Sequence, residues 1–270
     1  LRLSIDHITH YTFSEGMTHG LQRLRLTPKN TSGQSIVSWQ MELEGARRQV
    51  EFDDENCNHV TLISFDTGVR DVKIRCSGVI DTNDESGIIG RHSGFLPLWH
   101  FVEQTDLTKA GPRTRALVSG LAQDGNPLEM LHALSHLISE KVEYEGGYTD
   151  SATTAEGVLA AGRGVCQDHA HVFIGAARSL GIPARYVSGY LMMDDRVEQE
   201  AGHAWAEAHV DGIGWIGFDI SNGISPDARY VRVATGRDYR DAAPITGIRY
   251  GAIDESMQVT LAVEQQRMEQ

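Results

Sequence analysis

The hydrophobic period of this chain changes twice, and no other feature constrains its fold as much. From residue 1 to about 82, apolar and polar residues alternate in "LSIDHITHYTF", "LQRLRLTP", "SIVSWQMELEG", "HVTLISFD" and "DVKIRCSGVID", which are separated by Gly, Asn, Asp and Pro clusters. A side chain on every second position facing one way predicts an all-β, sandwich-like domain over 1–82. Residues 83–111 keep no steady period and read as a connecting segment whose apolar "FLPLWHF" docks on a neighbouring domain. Beyond Pro112 the period becomes helical in "RTRALVSGLA" and "PLEMLHALSHLISEKV", where Leu128, Leu131, Leu134, Ile138 and Val142 form one stripe. In "TTAEGVLAAG", Thr153 stands three before Glu156, the spacing of a capping box, and Gly162 closes the short helix. After Pro183 alternation returns in "ARYVSGYLM", "HAWAEAHV", "GWIGFDI", "RYVRVAT" and "SMQVTLAVEQQ". Helices followed by strands predict an α+β domain over 112–270, with helices packed on one side of an antiparallel sheet.

Composition narrows the partners. The 270 residues are 40% hydrophobic, enough for well-filled cores. The formal charge of -13 is spread along the chain, and no window gathers the Lys and Arg needed to neutralise a run of phosphates, so nucleic acid is not expected as a partner. No run approaches the ~18 apolar residues of a membrane helix. A soluble, cytoplasmic protein without membrane partners is expected; the chain opens on Leu1, which leaves a removed export signal open. A homo-oligomer is left open as well.

Three cysteines, Cys57, Cys76 and Cys166, are too few and too scattered for a disulfide framework. Cys57 and Cys76 lie in strand-like segments and read as small buried hydrophobes. Cys166 differs. "GVCQDH" follows the glycine-studded "AAGRG" and precedes "AHVFIGAARSLG", whose apolar face would be Ala170, Phe173, Ile174, Ala177 and Leu180 before Gly181 and Pro183 stop the helix. That puts Cys166 in a first turn, where unpaired N–H groups and partial positive charge favour a thiolate. Placement alone is weak evidence, because a nucleophile needs a base and the base an orienting group.

The candidate base is His203. In "GHAWAEAHVDGIGWIGFDISNG", residues 203, 205, 207 and 209 share one strand face, "DGIG" turns the chain, and "WIGFD" returns it to Asp219. If His209 pairs with Trp215, Asp219 falls opposite Trp205 and on the face of His203, a diagonal neighbour at about 7–8 Å between backbones. A turn of different parity would put them on opposite faces, so the register decides the matter. In that register Cys166 would attack a carbonyl, His203 would carry the proton and Asp219 would hold the imidazole, with the Cys166 backbone N–H as oxyanion donor.

These segments resemble the transglutaminase-like superfamily, of papain-type fold, through "GRGVCQDHAHVFIGAARSLGIPARYVSGYL", "GHAWAEAHVDGIGWIGFDISNG" and "VRVATGRDYRDAAPITGIRYG". The resemblance covers about residues 126 to 265, and the first 82 residues are similar to the β-rich N-terminal region of bacterial members. It implies a cysteine protease or transglutaminase acting through a thioester on a peptide or protein substrate, without a cofactor, and its triad falls on Cys166, His203 and Asp219. Two departures matter. Ile220 stands where many members have Pro after the triad acid, and Gln167 follows Cys166 where animal transglutaminases have Trp. With no Trp between Trp99 and Cys166, the side-chain oxyanion donor is missing, and hydrolysis is favoured over transamidation. Tyr148 is the candidate replacement.

Rival readings attach to nearby residues. A metal on Cys166, His169 and His171 requires convergence, but at about 100° per residue His171 points some 140° away from Cys166. His132 and His136 have a metal-compatible spacing, lack a third ligand nearby and read as surface residues. His169, three residues on from Cys166, is an alternative base to His203, with a place on the cleft rim in contact with substrate as the preferred reading, and Asp168 is expected as a first-turn acid facing the helix dipole. Trp205 and Trp215 flank the site, with Trp205 expected to line the substrate groove. Glu207 and His209 are expected at the solvent boundary. A binding module on the same fold, with its chemistry lost, is the alternative of a different class.

Overall fold

The computed structural model of the chain describes residues 1–121, 125–250 and 254–266. Two antiparallel sheets face each other to form the sandwich. One runs in the order Glu198–Gln199, Glu255–Gln265, Arg2–Phe13, Asp71–Thr82 and Gln34–Glu44; the other runs Ile245–Tyr250, His19–Leu24, His59–Phe65 and Ala46–Asp53. Strand Arg2–Phe13 has the alternation its sequence predicts, with Leu3, Ile5, His7, Thr9, Tyr11 and Phe13 buried. Tyr11, Phe13, Ile74 and Cys76 from the first sheet pack with Leu24, Ile63 and Phe65 from the second. Cys57 lies in the turn between two of these strands, exposed and at φ 57°, so it is not the buried strand residue expected.

The second unit is the expected helix-on-sheet arrangement. Its antiparallel sheet runs Tyr230–Gly236, Ala184–Leu191, His203–Val210, Gly214–Phe218 and Ile88–Gly90. The last of these comes from the 83–111 connection, which therefore contributes an edge strand. Within "FLPLWHF", Phe101 is buried with its ring 5.3 Å from that of Trp215, whereas Phe95 and Trp99 are exposed. Helix Cys166–Ser179 packs against Ala204, Ala206 and Ala208, and helix Pro127–Lys141 adds Leu131, Leu134 and Ile138 to the same core. Alanines on that strand face let the helix approach closely. Gly175 lets the connecting segment approach the same helix, because a Cβ there would meet the Thr108 carbonyl oxygen at 2.2 Å.

Two expectations change. The N-cap of helix Ala155–Ala161 is Thr154, one residue later than the predicted capping box, although Gly162 closes it in the left-handed region at φ 69°. Glu156 instead accepts from the backbone N–H groups of Gly111, Arg113 and Thr114, capping the neighbouring helix Pro112–Ser119. The segment read as one unit over 112–270 also splits: Ile245–Tyr250 and Glu255–Gln265 leave the helical layer and complete the two sandwich sheets. A further apolar seam of Leu3, Ile5, Ile80, Tyr190, Val231 and Leu261 joins the two units. No helix among the described residues is long and apolar enough to cross a membrane.

Candidate active site

The hairpin register has the parity that brings His203 and Asp219 together. His209 pairs with Trp215, Val210 with Gly214 and Ala206 with Phe218, with Gly212 and Gly214 at positive φ making the turn possible. The His203 Nε2–H donates to Asp219 Oδ2 at 2.6 Å. Asp219 is fully buried and also accepts from the Tyr230 hydroxyl and Asn222 Nδ2, each at 2.7 Å, and from the Ser221 N–H at 3.1 Å. Burial raises the Asp219 pKa, but these donors outweigh burial and keep the carboxyl below its ordinary range. The other side of the imidazole meets Cys166. Burial pushes His203 down; its hydrogen bond to Asp219 and the influence of the Cys166 sulfur outweigh that and hold it up at about 10.

Cys166 is the first residue of helix Cys166–Ser179, as its surroundings predict. Its N–H has no intrahelical acceptor at that position. Asp168 fixes the tip: its Oδ2 accepts from the Val165 N–H at 2.8 Å and from the Thr149 hydroxyl at 2.6 Å. It is the first-turn acid expected, here buried and capping the helix, and burial raises its pKa despite those bonds. Gly164 makes this contact possible, since a Cβ there would sit 2.7 Å from Asp168 Oδ2.

Cys166 is half-buried and opens, with His203, onto a cavity of about 500 Å³. Tyr186 lines it on the core side, and Tyr11, Met257 and Val259 line it on the sandwich side. The β-rich unit is thus one wall of the site, which the sequence reading missed. A signal existed in "LSIDHITHYTF": His7 and Thr9 occupy the inward parity of an otherwise apolar strand face, and both line this cavity. Tyr186 was also missed. Burial first, and the Cys166 sulfur second, push its phenol well above the ordinary value, so it remains a donor.

The other sequence candidates lie elsewhere. His169 is buried rather than on a rim; its Nε2–H donates to the Val142 carbonyl at 2.9 Å and its Nδ1 accepts from the Ser221 hydroxyl at 2.8 Å. Both nitrogens are used, and burial lowers its pKa. Tyr148 is exposed and lies under the Arg163 guanidinium at 4.5 Å, away from the cavity lining. Trp205 is buried with Val187, Leu191 and Tyr230 and supports the His203 ring at 6.2 Å between centroids instead of lining the groove. His171 is wholly buried, with Nε2 accepting from the Tyr239 N–H. Among the described residues no three His, Cys, Asp or Glu side chains are grouped to hold a metal ion. His132 and His136 are exposed. Glu207 departs most from expectation. It is fully buried, with Oε2 2.6 Å from Arg185 Nε and Oε1 2.7 Å from Arg232 Nε. Burial works against its charge, but the two guanidinium groups overcome that and bring its pKa down to about 2. His209 lies between interior and surface, with its ring edge-on to Trp215.

Comparison with known proteins agrees with this architecture. Residues 115–220 match the family described as "Transglutaminase-like superfamily", and residues 3–81 match the "Bacterial transglutaminase-like N-terminal region". An uncharacterized protein of Mycobacterium leprae (strain TN) is 28% identical over 263 residues, covering 93% of this chain and 94% of that protein. An uncharacterized protein of Mycobacterium tuberculosis (strain H37Rv) is 27% identical over 288 residues, covering 95% and 90%. The crystal structure of a "Putative Cysteine Protease" from Cytophaga hutchinsonii superposes with a TM-score of 0.79 at 22% identity, over 99% of this chain and 92% of that one, which shows a shared fold.

Proposed function

For a chain that belongs to the transglutaminase-like superfamily and carries its bacterial N-terminal region, we propose thiol-dependent acyl transfer on amide bonds, with hydrolysis of a peptide or isopeptide bond as the outcome. The single observation that carries this reading is His203, bonded on one side to Asp219 and lining, together with Cys166, the same cavity.

The chemistry follows from these groups. Cys166 Sγ, as thiolate, adds to the substrate carbonyl carbon and pushes its electron pair onto the oxygen. The resulting oxyanion meets the Cys166 N–H at the helix tip, and the Tyr186 hydroxyl, one of the phenols lining the cavity, is a candidate second donor. His203, held protonated, delivers its proton to the departing amine nitrogen as the C–N bond breaks, leaving a thioester. Water then gives a proton to His203 and attacks the thioester, releasing the acid and restoring the thiolate–imidazolium pair. Asp219 stabilises the imidazolium throughout and keeps its Nε2 engaged, so that the other ring nitrogen serves the sulfur.

The test offers a peptide pool and a labelled primary amine to the wild type and to Cys166→Ala. Cleavage that disappears in the variant supports hydrolysis. Amine incorporation without cleavage assigns the protein to transamidation instead. Neither product, together with alkylation of Cys166 no faster than that of a free thiol, would leave a binding module on this fold.

A further inference from the structure

A second polar cavity, of about 200 Å³, lies between the sandwich and the second unit and shares no lining residue with the Cys166 cavity. Four cations line it: Lys29 from the sandwich, Arg91 from the connection, and Arg185 and Arg232 from the central sheet. Among the described residues no carboxylate lines it, although the chain carries a formal charge of -13.

The nearby acids do not balance these charges. Glu207 lies behind Arg185 and Arg232 and is one negative charge against two. Asp54 is held by Arg25 at 2.9 Å and by Asn58. Glu207 takes the Nε of both arginines and Nη2 of Arg232; among the described residues no protein acceptor meets the Arg185 Nη groups or Arg232 Nη1. Arg185 is held by its Nε bond to Glu207 and by the Trp215 ring, whose centroid is 3.9 Å from its Cζ, which restrains the guanidinium whose outer donors remain over. Lys29 Nζ donates to the Asn56 carbonyl at 3.1 Å and to the Thr235 hydroxyl at 3.0 Å, leaving its third donor over. Burial first, then the Arg232 and Arg185 charges, push the Lys29 amine well below its ordinary value. Thr31 and Ser93 supply hydroxyls on the same lining.

We propose that this pocket binds a small molecule through a phosphoryl group, held by the outer donors of Arg185 and Arg232 and by Lys29 and Arg91. Two preset guanidinium groups with an ammonium suit a dianion with three terminal oxygens better than a single carboxylate. Because the donors come from both units, the ligand bridges them and stabilises the fold on binding. The proposal is independent of the chemistry at Cys166.

The test titrates the wild-type chain with inorganic phosphate, succinate and chloride at matched ionic strength, read by calorimetry and by the rise in melting temperature. Phosphate is expected to bind and stabilise, chloride to do neither, and succinate to bind more weakly than phosphate. The exposed rim residue gives the safest variant: Arg91→Glu should weaken phosphate by about tenfold or more, the scale of one charge-assisted hydrogen bond lost. Lys29→Gln should act in the same direction, and Cys166→Ala should leave phosphate binding unchanged. If phosphate binds no better than chloride, if succinate binds better than phosphate, if Arg91→Glu binds phosphate like the wild type, or if Cys166→Ala abolishes binding, the proposal is wrong.

Discussion

His203 and Glu207 point from the same face of one strand, four residues apart, and each is buried against charged partners. Around Glu207 the carboxylate is enclosed: both oxygens are taken by guanidinium groups, Arg185 from the adjacent strand and Arg232 from the strand beyond it. Around His203 the acid side is equally enclosed, with Asp219 accepting from Tyr230, Asn222 and Ser221, but the ring's other nitrogen looks toward a sulfur and a cavity. Burial and charge are common to both. The difference is whether one position around the charge remains for a reacting group, and it separates a cluster that specifies structure from one that can do chemistry.

The comparison breaks most visibly in rate. Cys166→Ala is expected to lower kcat/KM by about 10⁴-fold or more while leaving the urea midpoint nearly unchanged, because a half-buried sulfur at a helix tip supports little packing. Activity near wild type in that variant would remove the open cluster from catalysis. Glu207→Gln should do the reverse and destabilise the chain by about 3–5 kcal/mol, since two buried guanidinium groups lose their counter-charge, while molecules that remain folded keep their turnover. Urea unfolding and active-site titration separate the two effects. The same pair differs in pH response. Glu207 has a lowered folded pKa, so its contribution is complete above its unfolded value near 4.5 and is lost as pH falls through about 2. His203 has a raised one, so its contribution is complete below 6.5 and is lost as pH rises through about 10.

That second window gives a sharper test. Asp219→Asn removes the principal partner holding the imidazole charged, and the alkaline limb of kcat/KM should move from about 10 toward 6.5; an unmoved limb would mean that some other group titrates there. The smallest effect is expected from Tyr230→Phe, which deletes one 2.7 Å donor to Asp219 and should cost about tenfold in kcat/KM, with KM little changed. A change confined to KM would instead place Tyr230 against substrate.

The parts of this arrangement that depend on local pattern were readable in the sequence. Period and turn residues gave the sandwich strands, the Cys166 helix and the hairpin whose parity pairs His209 with Trp215. The unread parts depend on which distant segments become neighbours. Nothing near Glu207 in sequence announces Arg185 and Arg232, so a glutamate at strand spacing looked like a boundary residue. The Ser221 hydroxyl and the Val142 carbonyl that occupy His169 are likewise 52 and 27 residues away. Glu156 looked like the cap of its own helix because the spacing fitted, while its actual acceptor role is for a helix that starts at Pro112. Strand Glu255–Gln265 alternates as any half-buried strand does, and alternation carries no information about which sheet it joins.

That last strand lies inside the sandwich sheet, between Arg2–Phe13 and Glu198–Gln199, and its Glu255, Met257 and Val259 line the cavity onto which Cys166 opens. On the ribosome, where chains emerge from the N-terminus at about 5–20 residues per second, strand Arg2–Phe13 can pair early with Asp71–Thr82 but meets Glu255–Gln265 only after the whole stretch between them, residues 14–254, has been translated. Meanwhile its pairing edge is uncovered, and the groove that would receive a substrate lacks one bank. Maturation of the fold and onset of any activity thus coincide in a single late event: a nascent chain carries its cysteine long before it owns a place to use it.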